Sequence, residues 1–220
     1  MSAISSSTLW LLDILEQFPW HQTVVKAWKY IQKLLARYGM QGVYEVLEHE
    51  STLELLDRGG HRARFQKRQV VRYLQDGIIA FQDQAWGDGE ILLDYQCSPG
   101  VAVDFYRPGR KTYVLISLRG VKNRGDVDEH NMQWGIRDGF LRTDELWETE
   151  ISHQTQLLKV RVIFPQRRPP LQAALVEDFR RVETPLGEMY RRQLPDGRWE
   201  VEKEIRQPRL HERYGLRWVW

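Results

Sequence analysis

Carboxylates crowd one short stretch of this chain. Residues 81–95 read FQDQAWGDGEILLDY, in which Asp83, Asp88, Glu90 and Asp94 surround Trp86 between two glycine-containing steps. Carboxylates this close either ligate a hard cation or trade protons as an acid/base pair. A helix–loop–helix calcium loop needs oxygen ligands at alternate positions, glycine at the sixth and glutamate at the twelfth. Counted from Asp83, the third position is Ala85 and the sixth is Asp88, so the pattern fails. Asp88-Gly89 is a favoured turn pair. The stretch therefore reads as a strand end, a turn and a new strand, with Trp86 as a packing anchor. Glu90 and Asp94 would share one face of that strand.

A second acidic segment, KNRGDVDEHNMQWG (122–135), groups Asp126, Asp128, Glu129 and His130. Carboxylates with an imidazole suit a divalent metal, but the Gly/Asn-rich run reads first as an exposed loop. A cleft built from loops 83–94 and 122–135 would make a metal-dependent enzyme, and that is one alternative carried forward. The six histidines are scattered singly, with no His-Glu-x-x-His pair. Cys97 has no second cysteine with which to form a Cys-x-x-Cys site or a disulfide, and it reads as a buried thiol in a strand. Phosphate-binding loops, a dinucleotide fingerprint and a Gly-x-Ser-x-Gly elbow are missing from the sequence. The residues thus predict no enzyme, no catalytic group, no metal and no cofactor.

Binding chemistry is better represented. In RGGHRARFQKRQVVRYL (58–74), Arg62, Arg64, Arg68 and Arg72 share strand parity opposite Phe65, Val71 and Tyr73. A cationic sheet face of this kind can hold an anionic ligand or track a phosphate backbone. The acidic run 83–104 follows directly, so pairing of the arginines with its carboxylates across neighbouring strands is the simpler reading. Anion or nucleic-acid binding by these four arginines is the alternative. Overall charge gives it little help. The formal net charge is +2, all of it in residues 1–40, and the remainder balances.

The elements that must position these residues fall into two parts. Residues 1–40 are predicted helical, with helices at about 8–17 and 22–38 broken at Pro19. In the second helix Lys26, Lys29, Lys33 and Arg37 line one face, opposite Val24, Val25, Trp28, Ile31, Leu34, Leu35 and Tyr38. Two short amphipathic helices need a further surface to bury against. Trp10, Trp20, Lys26, Trp28, Lys29, Lys33 and Arg37 are therefore the expected partner-binding residues. They would serve another protein, self-association through residues 8–38 or an anionic membrane surface.

From Gly42 onward, five- to nine-residue runs rich in Val, Ile, Tyr and Trp alternate with turn residues. About ten strands are expected, with one short helix at RTDELWE (142–148). LPDGRW (194–199) and DRGGH (57–61) read as turns, and FPQRRPP (164–170) as a connector between sheets. Tyr214, Leu216, Trp218 and Trp220 alternate onto one face of a closing strand.

The fold class expected is mainly β. It would be an antiparallel β-sandwich, immunoglobulin-like or related, over residues 42–220, with an N-terminal amphipathic helical hairpin over 1–40. The function expected is a non-catalytic binding or adaptor protein working through protein contacts. One cysteine, no leader-like N-terminus and no run of about 18 apolar residues suggest the cytoplasm.

Overall fold

The chain divides into two units, Met1–Met40 and Gln41–Trp220, and a computed structural model describes residues 42–220. The expected helical hairpin and its seven partner-binding residues lie outside the described residues.

The described part is nearly all β. The strands are β1 (Tyr44–Leu55), β2 (Arg62–Tyr73), β3 (Ile78–Ala85), β4 (Glu90–Ser98), β5 (Val101–Tyr106), β6 (Thr112–Lys122) and β7 (Val127–Arg137). They continue with β8 (Asp144–Glu150), β9 (Thr155–Phe164), β10 (Gln172–Glu177), β11 (Val182–Pro185), β12 (Arg191–Gln193), β13 (Trp199–Arg206) and β14 (Arg213–Val219). A single 3-10 turn, Glu188–Tyr190, is the only helical element among the described residues.

Three sheets result. The large one has the order β12-β13-β9-β1-β2-β7-β4, and the smaller ones are β11-β10-β14-β8 and β3-β6-β5. The large sheet is one layer, and the two small sheets cover its inner face side by side. Phe65 meets Trp147 at 5.1 Å and Phe164 meets Trp218 at 5.6 Å between ring centroids, joining the large sheet to the four-stranded one. Phe81 stacks on His130 at 4.1 Å, joining it to the three-stranded one.

Strand parity builds this core. On β2, Ala63, Phe65, Val71 and Tyr73 are buried while the arginines between them face out. On β9, Leu158, Val160, Val162 and Phe164 are buried. On β1, Val46 points in, a register shift between Val46 and Glu48 switches the parity, and His49, Ser51, Leu53 and Leu55 then point in. The β1–β2 hairpin closes at Gly60, whose φ is +75°, and an added Cβ there would lie 1.7 Å from the Phe140 carbonyl oxygen. No side chain fits that place.

Several expectations change. RTDELWE is not a helix: β8 pairs with β14 from Asp144 opposite Val219 to Glu150 opposite Arg213. The adjacent Leu146 and Trp147 hid its period of two. The acidic segment 122–135 is not simply a loop, because β7 lies inside the large sheet between β2 and β4. His130, Met132, Trp134 and Ile136 alternate inward from it. The sheets are not wholly antiparallel either. β1 and β9 run parallel, and between them the chain leaves the large sheet and re-enters it at β4 and β7. No helix among the described residues is long and apolar enough to cross a membrane.

Tyr214, Leu216, Trp218 and Trp220 are all buried on β14 and at its end, as their alternation predicts. β14 lies between β10 and β8, so deleting residues 214–220 removes the middle of the four-stranded sheet. The truncated chain is expected to lose cooperative unfolding in a urea titration followed by tryptophan fluorescence. A midpoint equal to that of the full chain would show that β14 does not hold the second layer.

Candidate functional site

Two places in the fold gather polar side chains, one on each face of the large sheet. The inner one lies where the small sheets meet. Lys67, on the inward parity of β2, forms an ion pair with Asp83 of β3, and both side chains are almost fully buried. The Tyr95 hydroxyl donates to the other Asp83 oxygen at 3.0 Å, and the Gln84 backbone N–H donates to the first at 2.8 Å. Lys67 also lies over the Trp134 ring at 5.9 Å. Burial, with the Asp83 charge behind it, drives the Tyr95 phenol far above its ordinary range.

Next to this pair the Tyr73 hydroxyl lies 3.1 Å from Asp128 and 3.1 Å from the His130 ring. Lys122 holds the same carboxylate at 2.8 Å. His130 is pushed down to about 4 by burial, against the pull of the Asp128 charge and with a smaller push from Lys122. On β1, burial and the Lys67 charge push His49 down to about 3. His49 Nε2 and Ser51 Oγ are buried with no hydrogen-bond partner among the described residues. Bridges close the seam above them. Gln84 donates to Ser152 at 2.8 Å, and Lys111 and Arg213 both pair with Glu150.

The outer place is the open face of the large sheet. Its register aligns Gln96 with Gln133, Gln133 with Gln66, Gln66 with Thr52, and Thr52 with Arg161. A groove of about 500 Å³ runs along this row. Gln133 donates to Gln96 at 2.7 Å, which leaves the rest of both amides open, and Gln66 makes no side-chain hydrogen bond among the described residues. The flanking charges are already paired: Arg161 holds Glu202 at 2.8 Å, and Arg68 holds Glu48 and Glu129, each at 2.8 Å.

The four β2 arginines come together on one face, but each meets a carboxylate. Arg62 lies 3.7 Å from Asp57, Arg64 3.6 Å from Glu54, and Arg72 2.9 Å from Glu45. They are not an open cationic face. Their partners come from β1, β7 and the β1–β2 turn rather than from 83–94, because β2 has β1 and β7 as neighbours while β3 belongs to another sheet. Parity would have singled out Lys67, the one cation on the inward register of Phe65, Val71 and Tyr73. Reading the basic residues as one patch missed it.

Loops 83–94 and 122–135 converge only in part. Asp83 lies close enough to His130 for its charge to act on the ring, and Asp128 reaches His130 through Tyr73. Asp88 is 78% exposed and faces Arg142, and Asp126 accepts from the Asn123 backbone. Glu90 and Asp94 do not share a regular face, because β4 shifts register twice and places Leu92 and Asp94 at positive φ. No group of three or more His, Cys, Asp or Glu side chains among the described residues is placed to hold a metal ion. Cys97 is half-buried, with its thiol pushed up by burial.

No protein-family model matches the chain, and no curated protein does. Solved structures with similar chain paths include an M1 zinc metallopeptidase from Deinococcus radiodurans, at 9% identity and a TM-score of 0.44. Another is a putative protease from Parabacteroides distasonis, at 10% identity and a TM-score of 0.47. They cover 79% and 81% of this chain, which spans only 42% and 40% of theirs. Both neighbours are described as proteases. The expectations of a non-catalytic adaptor, of a chain that is no enzyme and of a protein-interaction module run against these protease-named neighbours, and none of them is carried further. At these identities and scores the likeness assigns neither a family nor an activity.

The inner cluster sets two expectations. Lys67→Met strands a buried carboxylate and should cost about 3–5 kcal/mol, whereas Lys67→Met with Asp83→Leu should cost much less. Urea unfolding of both variants measures the difference, and equal losses would show that the pair does not act as a unit. The second expectation concerns pH. An unfolded histidine takes up its proton below about 6.5, while folded His130 and His49 stay neutral down to about 4 and about 3. The unfolded state therefore binds more protons in that window. Stability is whole above 6.5 and falls toward 4, by up to about 1.4 kcal/mol per pH unit for each histidine. His130→Gln should flatten that slope in unfolding titrations from pH 7 to 4.

Proposed function

We propose that residues 42–220 form a sandwich-like domain that recognises an uncharged glycan along the open face of its large sheet. The observation that carries this reading is the row Gln96, Gln133, Gln66, Thr52 and Arg161, one side chain from each of five adjacent strands. Adjacent strands lie about 4.8 Å apart, so polar groups recur across the sheet at that interval. The step is close to the length of one sugar unit. An extended peptide advances only about 3.3 Å per residue and would fall out of step within a few residues.

The chemistry of the row agrees. Amides and hydroxyls donate and accept at once, as sugar hydroxyls do. The neighbouring arginines and glutamates neutralise one another, which disfavours a polyanion and favours a neutral ligand. The groove volume of about 500 Å³ lies within the roughly 300–1,000 Å³ of ligand pockets. The single cysteine keeps a reducing cytoplasm as the proposed compartment.

Affinity electrophoresis through gels containing glycogen, xylan or a soluble β-glucan tests the reading. At least one polymer should retard the protein, and Gln66→Ala with Gln133→Ala should abolish the retardation without lowering stability. Raising salt should change it little, since no counterions are released. Migration unaffected by all three polymers, or retardation that survives both substitutions, would remove the proposal.

A further inference from the structure

The row of amides ends differently on its two sides. The groove takes its lining from β4, β7, β2, β1 and β9, and none from β13. On β13 the positions in register with Lys159, Arg161 and Ile163 are Glu204, Glu202 and Glu200. One strand beyond the row, amides and hydroxyls thus give way to a strip of carboxylates. Arg161 ties the last member of the row to that strip. Its Nε donates to Glu202 Oε2 at 2.8 Å, its Nη2 donates to the same oxygen, and its Nε lies 3.3 Å from Glu200. At the other end the row runs out at Gln96, an exposed residue on β4, the edge strand of the sheet. One end is stopped by an ion pair and the other is open.

The stop suits the end of a chain. Glu202 Oε1 and Arg161 Nη1 take no part in the bonds just described, so an acceptor and a donor remain on adjacent strands. The hydroxyl that points along a glycan chain is free only in a terminal unit. In every interior unit it has become the linkage to the next sugar. A free hydroxyl donates and accepts at once, so it can serve the carboxylate and the guanidinium together. Hydrogen bonds to such charged groups are the stronger kind. An interior unit would instead have to carry its chain on over Glu202, where β13 offers carboxylates in place of amides.

We propose that the groove binds the free end of its glycan, seated against Arg161 and Glu202, with the rest of the chain leaving over β4. The inference rests on the glycan reading and adds which part of the chain is recognised. Five strands enclose four intervals of about 4.8 Å, which gives room for about four sugar units.

Counting chain ends against mass tests it. Glycogen, xylan and the soluble β-glucan are each titrated calorimetrically against the full chain, intact and after partial acid hydrolysis that multiplies their ends. For any polymer that binds, the protein taken up per gram should rise in proportion to the new ends. Linear oligosaccharides of that polymer should gain affinity up to about four units and little beyond. Glu202→Ala leaves the amide row whole and should weaken the longest oligosaccharide about tenfold, with an unchanged urea midpoint showing that the chain is folded. Uptake per gram unchanged by hydrolysis, or a folded Glu202→Ala chain that binds as the unaltered one does, overturns end recognition and leaves the glycan reading standing. Binding to none of the intact or hydrolysed polymers removes both.

Discussion

Lys67 and Asp83 meet out of water at the point where the three-stranded sheet settles on the seven-stranded one. A buried ion pair gives little net stability, because desolvating two charges consumes most of the attraction between them. Its effect is on specificity. With Lys67 inward on β2, only an arrangement that delivers a carboxylate to that spot avoids a bare buried cation. β3 delivers Asp83 between Phe81 and Ala85, and β4 adds the Tyr95 hydroxyl. The placing of the three-stranded sheet and the closing of the seam by Gln84 and Ser152 follow from that one contact, and the Lys67 charge adds to the burial that keeps His49 neutral.

The large sheet then has two unlike faces. Its inner face is covered by two sheets and carries aromatic and aliphatic side chains, broken only by the Lys67 region. Its outer face carries no such cover among the described residues. There amides and hydroxyls run across the strands with paired charges on either side. Amides held in register on neighbouring strands, each able to donate and accept at once, are the physical basis for reading the row as a recognition surface.

Much of the architecture was legible in single strands. Period-two alternation marked β2, β9 and β14 and sorted their side chains into inward and outward sets. Turn chemistry marked Gly60 and the Pro-Asp-Gly hairpin between β12 and β13, and three prolines marked the passage from the large sheet to the four-stranded one. β7 and β8 were missed for a common reason. His130 among carboxylates resembles a surface loop until its neighbours are known, and Leu146 beside Trp147 blurs the period of an edge strand.

By itself the sequence determined that residues 42–220 are mainly β, which faces of the regular strands are apolar, and where the sharpest turns fall. These follow from local sterics and from the two-residue repeat of an extended chain. Only the tertiary structure decided which strands lie side by side. That choice seated the β2 arginines on β1 and β7 carboxylates rather than on 83–94. It buried Lys67 with Asp83, ran β1 parallel to β9, and lined up Gln96, Gln133, Gln66, Thr52 and Arg161 from five separate strands. Pairing between distant strands depends on how all the apolar faces are covered at once, and no local pattern carries that information.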